Sequence, residues 1–137
     1  MEIKYYVNKW LSSDIIYWKD EFQEINNLLC IKEEDRDFVK NNIKIAFGKC
    51  IGTEGGGLIL FNCNFTIHIK PQLVKKIFPT PKFEWGNEIQ EVIRPQIKGV
   101  IEKIEWHYKN QMYVYYINID GKMKSRRYNG DELEKTR

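Results

Sequence analysis

Residues 112–128 hold the side chains best suited to chemistry, because basic and aromatic residues alternate there. The segment reads MYVYYINIDGKMKSRRY and contains four cations and four tyrosines. Interleaved basic and aromatic side chains suit phosphate contact and base stacking. They suit protein interfaces equally, since Tyr and Arg are enriched at binding hot spots, and an ordinary solvated hairpin is the third interpretation. The predicted binding residues are Tyr113, Tyr115, Lys122, Lys124, Arg126, Arg127, Tyr128 and, from a neighbouring strand, His107.

His107 stands between two aromatic residues, Trp106 and Tyr108. Because side chains alternate along a strand, His107 should point to the face opposite Trp106. In one interpretation the aromatic residues form a binding surface and His107 is its polar contact. In the other, which half-buried strands usually show, Trp106 belongs to the core and His107 is solvated.

The rest of the chain shows no pattern typical of catalysis or metal binding. The glycine-rich stretch 52–57 lacks the Gly-Lys-Ser/Thr ending of a phosphate loop and precedes a β-like run, so we expect a hairpin turn. His68 has no HxxxH or CxxC companion, and Cys30, Cys50 and Cys63 are widely spaced. We therefore predict free thiols, no metal, no cofactor and no enzymatic activity.

Composition predicts a folded protein of the cytoplasm. Hydrophobic residues make up 42% and charged residues 30% of the 137 residues, a balance that argues against disorder. The net charge of +3 is too small to predict strong nonspecific binding to nucleic acid. The N-terminus lacks the apolar stretch of a signal peptide, and no apolar run approaches the roughly 20 residues of a membrane span. We expect no membrane association.

Two amphipathic helices are predicted in the N-terminal half. Apolar residues at positions 15, 18, 22, 25 and 29 share one face of a helix over residues 14–29, with Ser12 or Ser13 as its N-cap. An acidic first turn and a terminal Gly48 predict a second helix over residues 33–47.

A β-hairpin follows, and then a break in the chain. The strands are predicted at residues 58–61 and 65–69. Pro79-Thr80-Pro81 is a stiff interruption, so we predict an α+β N-terminal unit over residues 1–78 and a β unit over residues 82–137. The predicted fold class is α+β.

The C-terminal half is predicted to be an antiparallel β-structure with a register set by Asp120-Gly121. Asp-Gly between two β-rich runs predicts a two-residue type I′ turn. That turn pairs Ile119 with Lys122 and, if the pairing continues, Tyr115 with Arg126 and Tyr113 with Tyr128. Arg126 would then lie beside the ring of Tyr115.

Residues 83–133 resemble a small SH3-like barrel of the KOW or Tudor kind. The resemblance is carried by Trp85-Gly86-Asn87-Glu88-Ile89, Gly99-Val100-Ile101, Trp106, the Tyr113–Tyr116 strand and the Asp120-Gly121 turn. It implies that loop aromatics and flanking charges bind nucleic acid, peptides or partner proteins.

These observations predict a non-enzymatic cytoplasmic protein that binds another protein through its C-terminal barrel. A small inhibitor or immunity-type protein fits the size and the lack of catalytic motifs. The alternative is a nucleic-acid-binding module that uses the basic and aromatic hairpin of residues 112–128.

Overall fold

A computed structural model describes residues 3–13, 31–42 and 46–136 of the chain. The chain divides into two compact units, Met1–Thr80 and Pro81–Arg137. The division falls within the Pro79-Thr80-Pro81 segment, where the lack of a proline N–H interrupts backbone pairing. No helix among the described residues is long and apolar enough to cross a membrane.

The N-terminal unit is organised by a five-stranded antiparallel sheet with the order β4-β3-β2-β1-β5. Its strands are β1 (Trp10–Ser13), β2 (Ala46–Glu54), β3 (Gly57–Asn62), β4 (Phe65–Ile69) and β5 (Lys76–Phe78). One α-helix, α1 (Arg36–Asn42), lies in the described part of this unit, after a 3₁₀ turn at Glu33–Asp35. Further 3₁₀ turns span Ile3–Tyr6 and Pro71–Leu73.

The core of this unit follows from the period-two pattern of its strands. Alternate residues of β3 and β4 point inward and are fully buried. The buried set is Leu11, Ile31, Val39, Cys50, Leu58, Leu60, Ile67 and Ile69. The tight β2–β3 connection has φ values of 56° and 83° at Gly55 and Gly56, which explains the glycine-rich sequence as a type I′ turn.

The prediction of an α+β class with N-terminal helices is wrong, because the described part of this unit is mainly β. Ser12 and Ser13, predicted as N-cap residues, are buried residues of β1, which lies between β2 and β5. The predicted helix over residues 14–29 lies outside the described residues.

The predicted second helix over residues 33–47 is also too long. Gly48, the predicted end of this helix, is a residue of β2. A Cβ atom at Gly48 would come within 2.3 Å of the carbonyl oxygen of Phe61. The glycine is therefore needed for the close approach of β2 and β3, and tertiary pairing overrides the helical pattern.

The C-terminal unit contains a second five-stranded antiparallel sheet with the order β10-β6-β7-β8-β9. Its strands are β6 (Glu88–Glu91), β7 (Lys98–His107), β8 (Met112–Ile119), β9 (Lys122–Met123) and β10 (Leu133–Lys135). A 3₁₀ turn at Gly130–Glu132 precedes β10. Its buried apolar residues include Phe83, Ile89, Ile101, Ile104, Tyr115, Ile117 and Leu133.

The Asp120-Gly121 turn and the two pairs next to it are confirmed, but the register predicted at Tyr115 is wrong. The turn has φ values of 52° and 83°, and Ile119 pairs with Lys122 as predicted. Farther along, Tyr115 pairs with Tyr128 instead of Arg126. Two additional residues are therefore accommodated after Met123, where regular pairing stops. A register shift of two residues keeps each shifted side chain on the same face of the sheet, but it gives that side chain a different cross-strand neighbour.

Candidate functional site

The structure separates the predicted aromatic residues from the predicted cations. Tyr113, Tyr115 and Tyr128 are only 8%, 1% and 4% exposed. The Tyr115 hydroxyl accepts a hydrogen bond from the backbone N–H of Lys82 at 3.0 Å, and its ring meets Phe83 edge-on at 5.2 Å. Burial raises the pKa of both Tyr113 and Tyr115. These rings belong to the core and are not placed to stack on a base.

His107 lies at the opposite end of β8 from the Asp120-Gly121 turn and Lys122. It pairs with Met112 where β7 and β8 are joined, and its Nδ1 accepts from the backbone N–H of Asn110 at 3.3 Å. The Asp120-Gly121 turn lies at the other end of β8, roughly 25 Å away at about 3.3 Å per strand residue. His107 therefore closes a turn, and it is half-buried, as is Trp106.

All four predicted cations are exposed, and they differ in how they are held. Lys122, Lys124 and Arg127 make no ion pair within the described part of the chain. Arg126 is fixed from two sides. Its guanidinium lies 4.4 Å from the centre of the Tyr128 ring and contacts a carboxylate oxygen of Glu132 at 3.0 Å.

A buried carboxylate on β6 holds the arginine in this position. The side chain of Glu91 is only 6% exposed. Its Oε2 accepts from the Tyr128 hydroxyl at 2.5 Å, and Arg94 donates Nε to Oε1 at 2.8 Å and Nη2 to Oε2 at 3.1 Å. Arg126 Nη1 lies 3.8 Å from the same Oε2. Glu91 thus satisfies the rule that a buried charge must be paired and hydrogen-bonded.

The electrostatics of this cluster are consistent with an ionised Glu91. The hydrogen bond from Tyr128, followed by the Arg94 and Arg126 guanidinium groups, lowers the pKa of Glu91 against the opposing effect of burial. Burial, and then the Glu91 carboxylate, raises the pKa of Tyr128. The hydrogen bond to Glu132 raises the pKa of Arg126. The guanidinium groups of Arg94 and Arg126 therefore both contact a buried anion.

The segment after Tyr128 is locked to this cluster by a capping box. The Asn129 side chain accepts from the backbone N–H of Asp131 and of Glu132, and the Glu132 side chain accepts from the backbone N–H of Asn129. Lys82 Nζ donates to the carbonyl oxygens of Gly130 and Leu133 at 2.8 and 3.2 Å. Glu132 therefore pairs with Arg126 from a fixed position.

An apolar tip directly precedes Arg94 in the loop after β6. Ile93 is 91% exposed, and Val92 before it is also exposed. The loop that carries them leaves β6 directly after Glu91 and is fixed by the Val92 N–H, which donates to the Glu132 carbonyl oxygen at 3.0 Å. We call the surface formed by Ile93, Arg94 and Arg126 the Glu91 face. Sequence reasoning missed it, although a Val-Ile pair in a loop before Arg94-Pro95 was a usable signal.

Residues 26–134 match the profile of a family of unknown function, DUF6960. The chain belongs to this family. Neither the search of curated proteins nor the search of solved structures returned a match. The DUF6960 match includes Glu91 and every residue of the Glu91 face.

Proposed function

We propose that the protein is a non-enzymatic interaction protein that binds a partner protein through the Glu91 face of its C-terminal unit. The observation that carries the proposal is Ile93, which is 91% exposed two residues after the buried carboxylate that fixes Arg94. Burying an isoleucine side chain contributes about 1.5–3 kcal/mol. The partner surface that would complement this face is an apolar pocket with an acidic rim.

The fixed arginines support a binding role for the face. A guanidinium that is already held in place loses less side-chain freedom when a partner binds. Arginine is also enriched among the residues that dominate binding energy. Two pre-positioned arginines beside an exposed isoleucine combine a charged rim with an apolar anchor. An inhibitor or immunity-type role and an SH3-like barrel for this unit are part of the same proposal.

The second candidate is a nucleic-acid-binding module. It is favoured by the exposed cations Lys122, Lys124 and Arg127, which are available for phosphate groups. The burial of Tyr113, Tyr115 and Tyr128 removes the aromatic platform on which bases would stack. Such binding would rest on phosphate contacts alone and would fall steeply with salt.

Capture of proteins from a lysate of the native host, followed by affinity measurement on the purified partner, separates these functions. We expect Ile93→Ser to weaken binding at least about tenfold, given the apolar area that it removes. Val100→Ser is the matched control, because Val100 is also an exposed aliphatic residue of this unit but lies outside the Glu91 face. A partner bound equally by wild type and Ile93→Ser would refute the proposed surface.

The same preparations are tested against mixed DNA and RNA at about 50 mM and about 200 mM salt. Binding that is lost at the higher salt and in Lys124→Ala/Arg127→Ala, without any captured protein, would establish the second candidate instead. No nucleic-acid binding at the lower salt would remove it.

A further inference from the structure

A pocket of about 310 Å³ lies in the N-terminal unit, beside the Gly55-Gly56 turn. It is built on the sheet of the N-terminal unit, whereas the Glu91 face belongs to the C-terminal unit. Its charged and polar walls come from three parts of the chain: the segment that leads into the first residue of α1, the end of β2, and the end of β4 with the residue after it. The residues that matter for its chemistry are Lys32, Arg36, Glu54, His68, Ile69 and Lys70.

The segment before α1 is firmly tied to β4, so this pocket has a defined wall. Ile31 forms a β-bridge with Ile69, and the Lys32 N–H donates to the His68 carbonyl oxygen at 3.0 Å. Asp35 Oδ2 accepts from the backbone N–H of His68 at 2.8 Å. Arg36 Nε donates to the Ile31 carbonyl oxygen at 3.0 Å.

Asp35 also orients the imidazole of His68. The same Oδ2 lies 2.9 Å from Nδ1 of the ring. A carboxylate only accepts hydrogen bonds, so Nδ1 carries a hydrogen and donates it to Asp35. Nε2 points away from Asp35 and toward Glu54, whose Oε2 lies 3.5 Å away. A ring nitrogen donates to a carboxylate only when it too carries a hydrogen, as both nitrogens do in the imidazolium form, and an anion at this position selects that form. The ring is held by one carboxylate and presents its other nitrogen to a second.

Glu54 itself is held loosely. Its Oε1 is 3.3 Å from Lys32 Nζ, and its side chain is more than half exposed. Charge-assisted N–H···O contacts usually measure about 2.7–2.9 Å, so both contacts of Glu54 are long. The Glu54 carboxylate, with Glu34, raises the pKa of Lys32. An anion between Lys32 and His68 is therefore favourable, but the chain's own carboxylate fits that position poorly.

We propose that this pocket binds a small oxyanion, a phosphate or carboxylate group, which displaces Glu54 from between Lys32 and His68. Arg36 and Lys70 line the same pocket and add positive charge, and Ile69 offers an apolar wall for the rest of such a ligand. Glu54 acts as an internal competitor that occupies the anion position while the pocket is empty of ligand. This inference does not depend on the proposed function of the C-terminal unit.

The direction in which one substitution changes the ligand affinity distinguishes this anion site from a cation site. If an anion binds, Glu54→Gln removes the competing charge and tightens binding. If a metal ion binds instead, with Glu54 and His68 Nε2 as its ligands, the same substitution weakens binding. The amide preserves the shape of the side chain, and Glu54 lies at an exposed position, so the variant should fold.

The experiment is a titration of the full-length ¹⁵N-labelled chain with inorganic phosphate, with succinate and with zinc, at constant ionic strength. The backbone amides of Gly55 and His68 and the imidazole nitrogens of His68 report binding. We expect saturable shifts with at least one of the two anions, and the comparison of phosphate with succinate identifies which anionic group the pocket takes. Glu54→Gln should tighten this binding about three- to tenfold, as expected for removal of one unit charge about 4 Å away that is screened as in bulk water, since the Glu54 side chain is more than half exposed.

Three further variants complete the test. Lys32→Ala and His68→Gln should each weaken anion binding about three- to tenfold. Lys4→Ala is the matched control, since Lys4 is an exposed lysine of the same unit outside the pocket, and it should leave the affinity unchanged. The proposal is overturned if neither anion gives saturable shifts, if Glu54→Gln weakens anion binding, or if zinc binds and this binding is lost in Glu54→Gln.

Discussion

The hydrogen bond between Tyr128 and Glu91 is the most informative single interaction to remove. Both residues are buried, and the hydroxyl donates to an ionised carboxylate at 2.5 Å. A hydrogen bond to a charged group contributes about 1.5–3 kcal/mol to stability. Tyr128→Phe keeps the ring in the core and leaves one carboxylate lone pair without a hydrogen bond. We therefore expect the free energy of unfolding of the C-terminal unit to fall by about 1.5–3 kcal/mol.

The expected effect can be measured by amide hydrogen exchange. The Tyr115 and Tyr128 amides hydrogen-bond to each other's carbonyl oxygens at 2.8 and 2.9 Å, so they report the pairing of this segment directly. At about 1.36 kcal/mol per factor of ten, the loss corresponds to exchange that is about 10- to 150-fold faster. The substitution leaves the backbone amides in place, which allows a residue-by-residue comparison with wild type.

Tyr116→Phe is the matched control for this measurement. Tyr116 lies on the same sheet, and its ring faces the Lys103 ammonium at 5.3 Å, but its hydroxyl makes no hydrogen bond among the described residues. We expect exchange in this variant to stay within about threefold of wild type. If Tyr128→Phe and Tyr116→Phe accelerate exchange equally, Glu91 does not depend on the tyrosine hydroxyl and the reasoning fails.

Three further predictions concern acid, a thiol and a glycine. Because the pKa of Glu91 is lowered on folding, its contribution to stability is complete above the ordinary carboxyl pKa of about 4.3 and is lost as the pH falls through the lowered value. The free energies of urea unfolding of wild type and Glu91→Gln should therefore differ at pH 7 and converge in acid. A difference that stays constant with pH would contradict this. Burial raises the pKa of the Cys50 thiol. Iodoacetamide should therefore label Cys50 slowly in the native protein and quickly in denaturant, as measured by peptide mass spectrometry. Equal labelling rates in the two conditions would refute this prediction. Gly48→Ala should destabilise the N-terminal unit by about 1–3 kcal/mol or more in urea unfolding, because its Cβ would come within 2.3 Å of the Phe61 carbonyl oxygen. Gly52→Ala is the control and should destabilise the unit less, because its Cβ meets only a side-chain atom at 3.7 Å. Equal destabilisation by the two substitutions would contradict the steric argument.

Local signals predicted part of this fold because their causes are local. Asp120-Gly121 adopts positive φ values that its sequence favours, and the turn sets the adjacent pair of residues. The hairpin of β3 and β4 is likewise predicted by alternation between turn residues. The interruption after Met123 has no such signal, so the register could not be extended to Tyr128 from sequence.

Gly48 shows how the same residue supports opposite local readings. At the end of an apolar periodic run, glycine is typical of a helix C-terminus. In the structure it is required by the approach of the β3 backbone, which is 13 residues away in sequence at Phe61. A long-range contact therefore determines that this segment is a strand and not a helix, and hydrophobic periodicity gives no information about that contact.

The candidate sites were hidden for a related reason. Asp35 and His68 are 33 residues apart in sequence, and Glu91 and Tyr128 are 37 apart. Each pair depends on strand pairing that brings distant segments of the chain together. Residue spacing in the sequence therefore could not predict either contact. Alternation correctly placed Tyr113 and Tyr115 on one face of β8, but it could not show that this face is covered by the core.

Glu91 links the stability of the C-terminal unit to the shape of its proposed binding surface. Its carboxylate faces the core through Tyr128 and faces the surface through Arg94 and Arg126. Loss of the carboxylate would therefore weaken the fold and release both arginines, whereas Ile93→Ser would remove only surface contact. If the Glu91 face binds a partner, Ile93→Ser lowers affinity without changing the free energy of unfolding, and Glu91→Gln lowers both. Measuring affinity and stability on both variants shows whether Glu91 serves only the fold or also positions the binding surface. If its role is purely structural, Glu91→Gln that remains folded binds the partner with unchanged affinity.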